Sequence, residues 1–254
     1  MDLVIIGSGN VADCFGRLWR LNGHRITQVL SRNEAHAREL AESLHAAWSD
    51  DMGAIDRDAN LYLLAVSDTA IAVLDRRLRL ESRPVVHTAG AVSLGAISHI
   101  SAHTGVFYPL QSIRKGIAVN GVIPLLIEAS DETVLKKLLT LAEAIPGDAT
   151  VMSSADRLKM HLVAVFCNNF PNHLITLCRK YCSDASLDFS LLQPLVRETF
   201  ERLEAFDPED LQTGPAIRAD SITLQKHRTL LARYPEMEKV YNLLNESIEK
   251  YYRG

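Results

Sequence analysis

Short apolar runs alternate with longer amphipathic stretches through residues 1–152. Leu3–Ile6, Ile26–Leu30, Leu61–Val66, Val85–His87, Gly105–Tyr108, Leu125–Glu128 and Thr150–Met152 are predicted strands. Helical spacing of apolar residues predicts helices over Val11–Leu21, Glu34–Ala46, Thr69–Arg77 and Glu132–Ala144. Several strand runs are apolar on successive residues, which suits strands covered on both faces in a parallel sheet. The alternation of strand and helix predicts an α/β fold, a doubly wound parallel sheet.

From residue 153 the pattern becomes all-helical. Ser153 or Ser154 is placed to cap a long helix running toward Cys182, and Pro171 marks a kink or break in it. Helical periodicity continues over Leu187–Phe206, Asp220–Ala232 and Glu236–Tyr252, with no convincing strand. The expected division is a Rossmann-type domain over 1–152 and an all-helical domain over 153–254. No internal repeat or low-complexity tract interrupts it.

Composition narrows the function classes. With 254 residues, 47% apolar and 23% charged, the chain suits a soluble globular protein of one or two domains. A net charge of −4 weighs against nucleic-acid binding, and Arg76, Arg77 and Arg79 read as a solvated helix face. The start carries Asp2 where a secretory signal would be basic, and no run reaches the roughly 18–20 apolar residues of a membrane span. Cys14, Cys167, Cys178 and Cys182 lack zinc-site spacing, so reduced thiols, no metal and a cytoplasmic location are expected.

The sharpest motif is Gly7-Ser8-Gly9-Asn10-Val11-Ala12, directly after the first strand and opening the first helix. Gly7 allows a tight turn, Gly9 leaves room for a pyrophosphate, and Ala12 lets the helix pack closely on the strand. The amides at the start of the helix then face the anion, and Gly7, Ser8, Gly9, Asn10 and Val11 are the candidate cofactor-binding residues of the turn. The second strand ends in Ser31-Arg32-Asn33, without the carboxylate of an NAD site. Arg32 can pair with a 2′-phosphate while Ser31 and Asn33 donate to its oxygens, so NADP is expected in preference to NAD. On the other reading, Ser31 and Asn33 merely start the next helix. Ser67, after the Leu61–Val66 run, is expected near the nicotinamide ribose, and equally suits a helix cap.

Other polar residues stand where ligands bind in such folds. His87 precedes a Thr88-Ala89-Gly90 turn, and Tyr108 and Gln111 leave the Gly105–Tyr108 strand. The helix over 158–170 is apolar almost all round and is expected to be largely buried, yet His161, Asn168 and Asn172 form a polar stripe on it, with Asn169 adjacent. The partners of that stripe are a ligand, loop carbonyls or a second subunit. Gly214-Pro215 breaks the chain before another helix, with Arg218 at its mouth and Asp220, Thr223 and His227 sharing a face.

Taken together, the glycine turn, His87–Gly90, Tyr108–Gln111, the His161–Asn169 helix and the 214–227 constellation resemble a family of bacterial Rossmann-like proteins. Their carboxyl-terminal helical domain is of unknown function. The family is distantly similar to pyrroline-5-carboxylate reductase, deazaflavin-dependent NADP reductase and the 6-phosphogluconate dehydrogenase group. The resemblance implies a Rossmann domain followed by a helical domain that pairs with a second copy, and brings no substrate. Val163 stands where a hydroxyacid dehydrogenase Lys-x-x-x-Asn motif beginning at Lys159 would have Asn, so catalytic residues are not carried over.

The expected function is NADP-dependent hydride transfer to or from a small carbonyl or imine bound between the two domains. In it His161 donates a proton or polarises, since imidazole titrates near neutral pH. Asn169 orients the reacting group, and Arg218 holds an anionic substituent. His87, Tyr108, Gln111, Asn168, Asp220 and His227 are pocket candidates. The alternative is a non-catalytic dinucleotide-binding sensor. A homodimer through the helical domain is expected, with no nucleic acid or membrane as partner.

Overall fold

Strand β1 (Asp2–Ile6) is apolar on both faces, and this sets the layers around it. Leu3 and Ile5 enter one buried cluster, with Phe15, Trp19 and Leu40; Val4 and Ile6 enter a second, with Ile71 and Ile97. A strand buried on both sides needs helices on both faces of its sheet. The computed structural model describes residues 1–117 and 121–253. The chain divides into two compact units, Met1–Asn169 and Phe170–Gly254.

In the first unit, among the described residues, one eight-stranded sheet has the order β3-β2-β1-β4-β5-β6-β7-β8. The strands are β1, β2 (Arg25–Leu30), β3 (Ala47–Ser49), β4 (Leu61–Leu64), β5 (Val85–His87), β6 (Thr104–Pro109), β7 (Leu125–Ala129) and β8 (Ala149–Val151). Helices α1 (Asn10–Leu21), α2 (Glu34–Leu44), α3 (Asp68–Arg77) and α4 (Glu132–Ala142) cover it, and α5 (Ser154–Ala164) follows β8. The first six strands follow the doubly wound order, with the switch point between β1 and β4. Phe15, Trp19 and Phe107 stack at 5.2–5.7 Å beneath α1, and the Trp19 indole N–H donates to the Leu141 carbonyl at 3.1 Å.

Three features differ from the sequence expectation. Helix α2 stops at Leu44 because His45 takes a left-handed conformation (φ 53), which frees Ala47–Ser49 to form β3. Strand β7 runs antiparallel to β6, whereas the other neighbours are parallel. The expected burial of the 158–170 helix is not found in the single chain: Leu162 is 58% exposed and Phe166 61%. Among the described residues, Ser154, Arg157 and His161 on one side of α5 hydrogen-bond to the sheet.

The kink expected near Pro171 takes the form of a π turn over Val165–Asn169, between α5 and α6 (Phe170–Asp184). Proline offers no N–H and its ring crowds the carbonyl four residues back; a widened turn relieves both. The second unit continues with α7 (Gln193–Ala205), the short α8 (Pro208–Leu211), α9 (Ser221–Leu231) and α10 (Pro235–Arg253). Tyr181 stacks on Tyr234, and Arg228 bonds to Asn242 to join α9 to α10. Among the described residues no helix is long and apolar enough to cross a membrane.

Candidate functional site

The chain leaves β1 through Gly7, whose φ of 117° suits only glycine; a Cβ there would lie 2.1 Å from the Ala65 carbonyl oxygen. The Gly7 N–H donates to the Leu30 carbonyl at 2.7 Å, which binds the turn to β2. Gly9 is the N-cap of α1, and among the described residues no side chain accepts from the first N–H groups of that helix. A Cβ on Gly9 would meet nothing within 4 Å. The positive end of α1 therefore opens bare onto free space. Ala12, fully buried, sits in the core as its small size allows.

A cleft of 1780 Å³ runs along the carboxyl edge of the parallel strands. Strand order arranges its walls: Arg32 after β2, Gly9 after β1, Ser67 after β4, Gly90 after β5 and Gln111 after β6. This exceeds the roughly 300–1,000 Å³ of a single small-molecule pocket and leaves room for an extended dinucleotide. Ser8 Oγ donates to Ser31 Oγ at 2.9 Å, so the glycine turn and the tip of β2 are held together. Asn33 does cap α2, accepting from the His36 N–H. Arg32 is exposed and, among the described residues, makes no hydrogen bond or ion pair. Ser67 stands at the N-cap of α3 without capping it; its hydroxyl lies 3.2 Å from that of Thr69. Open space at Gly9, a bare helix start and an unengaged guanidinium fit a dinucleotide with a 2′-phosphate.

Sequence reasoning missed the walls contributed by Asp50, Asp51 and Arg57, because they follow the unpredicted β3. Asp51 is already engaged, accepting from the Gly53 N–H.

Tyr108 and His161 meet behind Gly90, and neither side chain is part of the cleft lining. The phenol oxygen is 2.9 Å from His161 Nδ1, with the rings edge to face. Gly90 packs against both: a Cβ there would lie 2.7 Å from His161 Nδ1 and 2.8 Å from Tyr108 Cζ. Gly90 thus touches the pair on one side and the cleft on the other. Burial pushes the Tyr108 phenol pKa up, and the nearby Arg157 charge partly offsets this.

His87 has a different place. It is fully buried; its Nδ1 accepts from the Ala89 N–H at 3.2 Å and its Nε2 faces the Ser93 carbonyl at 3.3 Å. Burial lowers its pKa to about 4, so a neutral imidazole holds the turn that presents Thr88, Ala89 and Gly90.

Arg157, one turn before His161, is also fully buried. Its guanidinium donates to Glu128 Oε2 on β7 and to the Val92 carbonyl, while its Nε has no partner among the described residues. Ser154 Oγ donates to the same Glu128 oxygen at 2.6 Å and accepts from the Leu94 N–H. Burial alone would raise the Glu128 pKa; the bonds from Ser154 and Arg157 outweigh it and hold the carboxyl below its usual value. This network fastens α5 to the sheet and to the loop after β5, which fixes where His161 stands. The available sequence clue was an arginine one turn before that histidine.

The remaining candidates are placed as follows. Gln111 lines the cleft, its Oε1 accepting from the Ser112 N–H. Asn168 and Asn169 are exposed within the π turn. In the second unit, Arg218 is exposed in the turn before α9. Asp220 caps α9 by accepting from the Thr223 N–H and hydroxyl, and His227 Nδ1 lies 2.8 Å from the Tyr241 hydroxyl on α10. No group of three or more metal-ligating side chains converges among the described residues.

Residues 2–89 match the family model described as NADP oxidoreductase coenzyme F420-dependent, and residues 123–248 match DUF2520, a domain of unknown function. Among curated proteins none matches. The crystal structure of a "putative NADP oxidoreductase" from Bacteroides fragilis superposes with a TM-score of 0.92 at 34% identity, over 98% of each chain. Two more remote structures share the fold. A 1-pyrroline-5-carboxylate reductase from Streptococcus pyogenes gives a TM-score of 0.66 at 13% identity, over 98% of each chain. An imine reductase from Myxococcus stipitatus in complex with NADP+ gives 0.63 at 15%, over 100% of this chain and 93% of that one. With a third of its residues identical along nearly the full length of both chains, this protein belongs to the same NADP oxidoreductase family as the Bacteroides fragilis protein, and carries the DUF2520 domain toward its carboxyl end.

Proposed function

We propose that the chain is an NADP(H)-dependent oxidoreductase acting on a small carbonyl or imine. The observation that carries this reading is the Tyr108–His161 pair held against Gly90, which itself lines the cleft that begins at the glycine turn. Bound NADPH would supply the hydride. The N–H groups opening α1 would hold the pyrophosphate, Arg32 and Ser31 the 2′-phosphate, and Ser67 a ribose hydroxyl. The Tyr108–His161 pair would hold the proton. With Nδ1 protonated, the imidazole donates to the phenol oxygen and leaves the phenol proton for the substrate's oxygen or nitrogen. In the other tautomer the phenol donates to Nδ1, and His161 Nε2–H is the free donor. Asn169 is the group proposed to orient the reacting atom, and Arg218 to hold an anionic substituent.

The same reading includes a homodimer. Leu158, Leu162, Val163 and Phe166 expose large apolar side chains along α5 and the π turn, and Leu191 and Leu195 do so in the second unit. Monomers seldom leave so much apolar surface in water, and a second copy is its commonest cover.

The test is single-turnover oxidation of bound NADPH against a panel of keto acids and cyclic imines. Turnover that falls at least about a hundredfold in His161→Ala and Tyr108→Phe supports the assignment. Tight NADPH binding with no turnover across the panel, unchanged by either variant, supports the non-catalytic alternative. A monomeric mass in solution at micromolar concentration removes the dimer.

A further inference from the structure

Strands β6 and β7 are antiparallel neighbours, and such a pair needs a connection of only about two to five residues. Here the connection covers residues 110–124. Connections this long are uncommon in compact domains and are usually either functional or linker segments. Its base is closed by the Leu110 N–H donating to the Pro124 carbonyl at 2.8 Å. From there the described part departs from its own strands. Gln111, Ser112 and Ile113 line the dinucleotide cleft. The Lys115 N–H then donates to Asn10 Oδ1 at 3.1 Å, and Lys115 Nζ pairs with Glu39 Oε1 at 2.7 Å.

Asn10 is the first residue of α1 and Glu39 lies on α2. Strands β1 and β6 are three positions apart in the sheet. At about 4.8 Å per strand, the segment crosses about 14 Å of sheet edge. The ends of β4 and β5, with Ser67 and Gly90, lie between its two attachments. A dinucleotide stretched from the glycine turn toward Gly90 must pass along this segment.

We propose that residues 111–115 are a clasp on the dinucleotide cleft, latched by Asn10 and Glu39, and that cofactor exchange requires Lys115 to release them. The proposal rests on the NADP(H) reading. Lys115 and Glu39 are positioning residues: Glu39 is exposed on α2 and is not part of the cleft wall. That makes the sign of its effect decisive. Through space alone, replacing a carboxylate by a cation near a polyanionic cofactor strengthens binding. The clasp requires the opposite, because Glu39→Lys sets two cations together and opens the latch.

The experiment displaces NADPH from the full chain with excess NADP+ in a stopped-flow fluorimeter. Glu39→Lys and Lys115→Glu are each expected to speed NADPH release about three- to tenfold at low salt, with unchanged melting temperature. The exchanged pair, Glu39→Lys with Lys115→Glu, is expected to return within about twofold of the wild-type rate. Added salt narrows the differences, since the bridge is exposed. Release that is unchanged or slower in Glu39→Lys, or no rescue in the exchanged pair, overturns the clasp and leaves the cofactor reading standing. A wild-type protein that binds neither NADPH nor NADP+ overturns both.

Discussion

Tyr108 on β6 and His161 on α5, fifty-three positions apart, share one hydrogen bond over the α-carbon of Gly90. Neither ring can retreat freely: Tyr108 is half-buried in the sheet edge, and α5 is fastened by Arg157 to Glu128. Gly90→Ala is therefore expected to destabilise the fold by about 1–3 kcal/mol, through overpacking against two anchored rings. In a His161→Ala background the penalty should shrink, because half of the clash is gone. Urea unfolding of the three variants measures this; equal penalties in both backgrounds would show that Gly90 does not feel the histidine.

The two glycines of the first turn should respond in opposite ways. Gly7→Ala forces a side chain into left-handed backbone and against the Ala65 carbonyl, so the protein should be severely destabilised or unfolded. Gly9→Val meets open space and ordinary extended backbone, so thermal stability should stay within about 1 kcal/mol of wild type. NADPH affinity, read by calorimetry, should nonetheless fall at least about tenfold, because the valine occupies the place of the pyrophosphate.

On the proposed reading, Arg32 would carry the choice between the two nicotinamide cofactors. Arg32→Ala should weaken NADPH binding about 10- to 100-fold, the range of a lost charge-assisted contact, and leave NADH affinity nearly unchanged. Parallel titrations of both cofactors settle it, and an equal loss for both would place the 2′-phosphate elsewhere.

His87 makes stability depend on pH. Its pKa is lowered to about 4 by burial, against an ordinary value near 6.5. The unfolded chain thus binds a proton that the folded chain refuses between these values. Stability is full above about pH 6.5, falls as the pH drops toward 4, and loses roughly 3 kcal/mol over that window. Denaturant midpoints at pH 7 and pH 4.5 should show a larger drop in wild type than in His87→Gln, which cannot titrate. Identical drops would mean that the imidazole accepts its proton in place.

Much of this molecule is legible in residue order because the features are local. A four-residue apolar run followed by Gly7-Ser8-Gly9 can hardly do anything but end a buried strand and start a helix. The absence of a carboxylate in Ser31-Arg32-Asn33 is visible without coordinates. So are the alternation of strands with helices, the switch to an all-helical half, and the break near Pro171. Strand β3 escaped because three residues carry too little periodicity, and its presence depends on His45 turning left-handed.

What only the tertiary structure decided are relations between residues far apart in sequence. Along the chain His87 is a candidate pocket wall and His161 a candidate proton donor. Folding seals the first into the turn after β5 and sets the second beside Tyr108 and Gly90. Arg157 looks like a solvated charge until the sheet brings Glu128 to it, and Lys115 like a loop lysine until the long β6–β7 connection carries it to Asn10 and Glu39. The reason is physical: backbone conformation answers to neighbours within a few residues, whereas burial, proton affinity and close approach depend on which distant segments the sheet brings together.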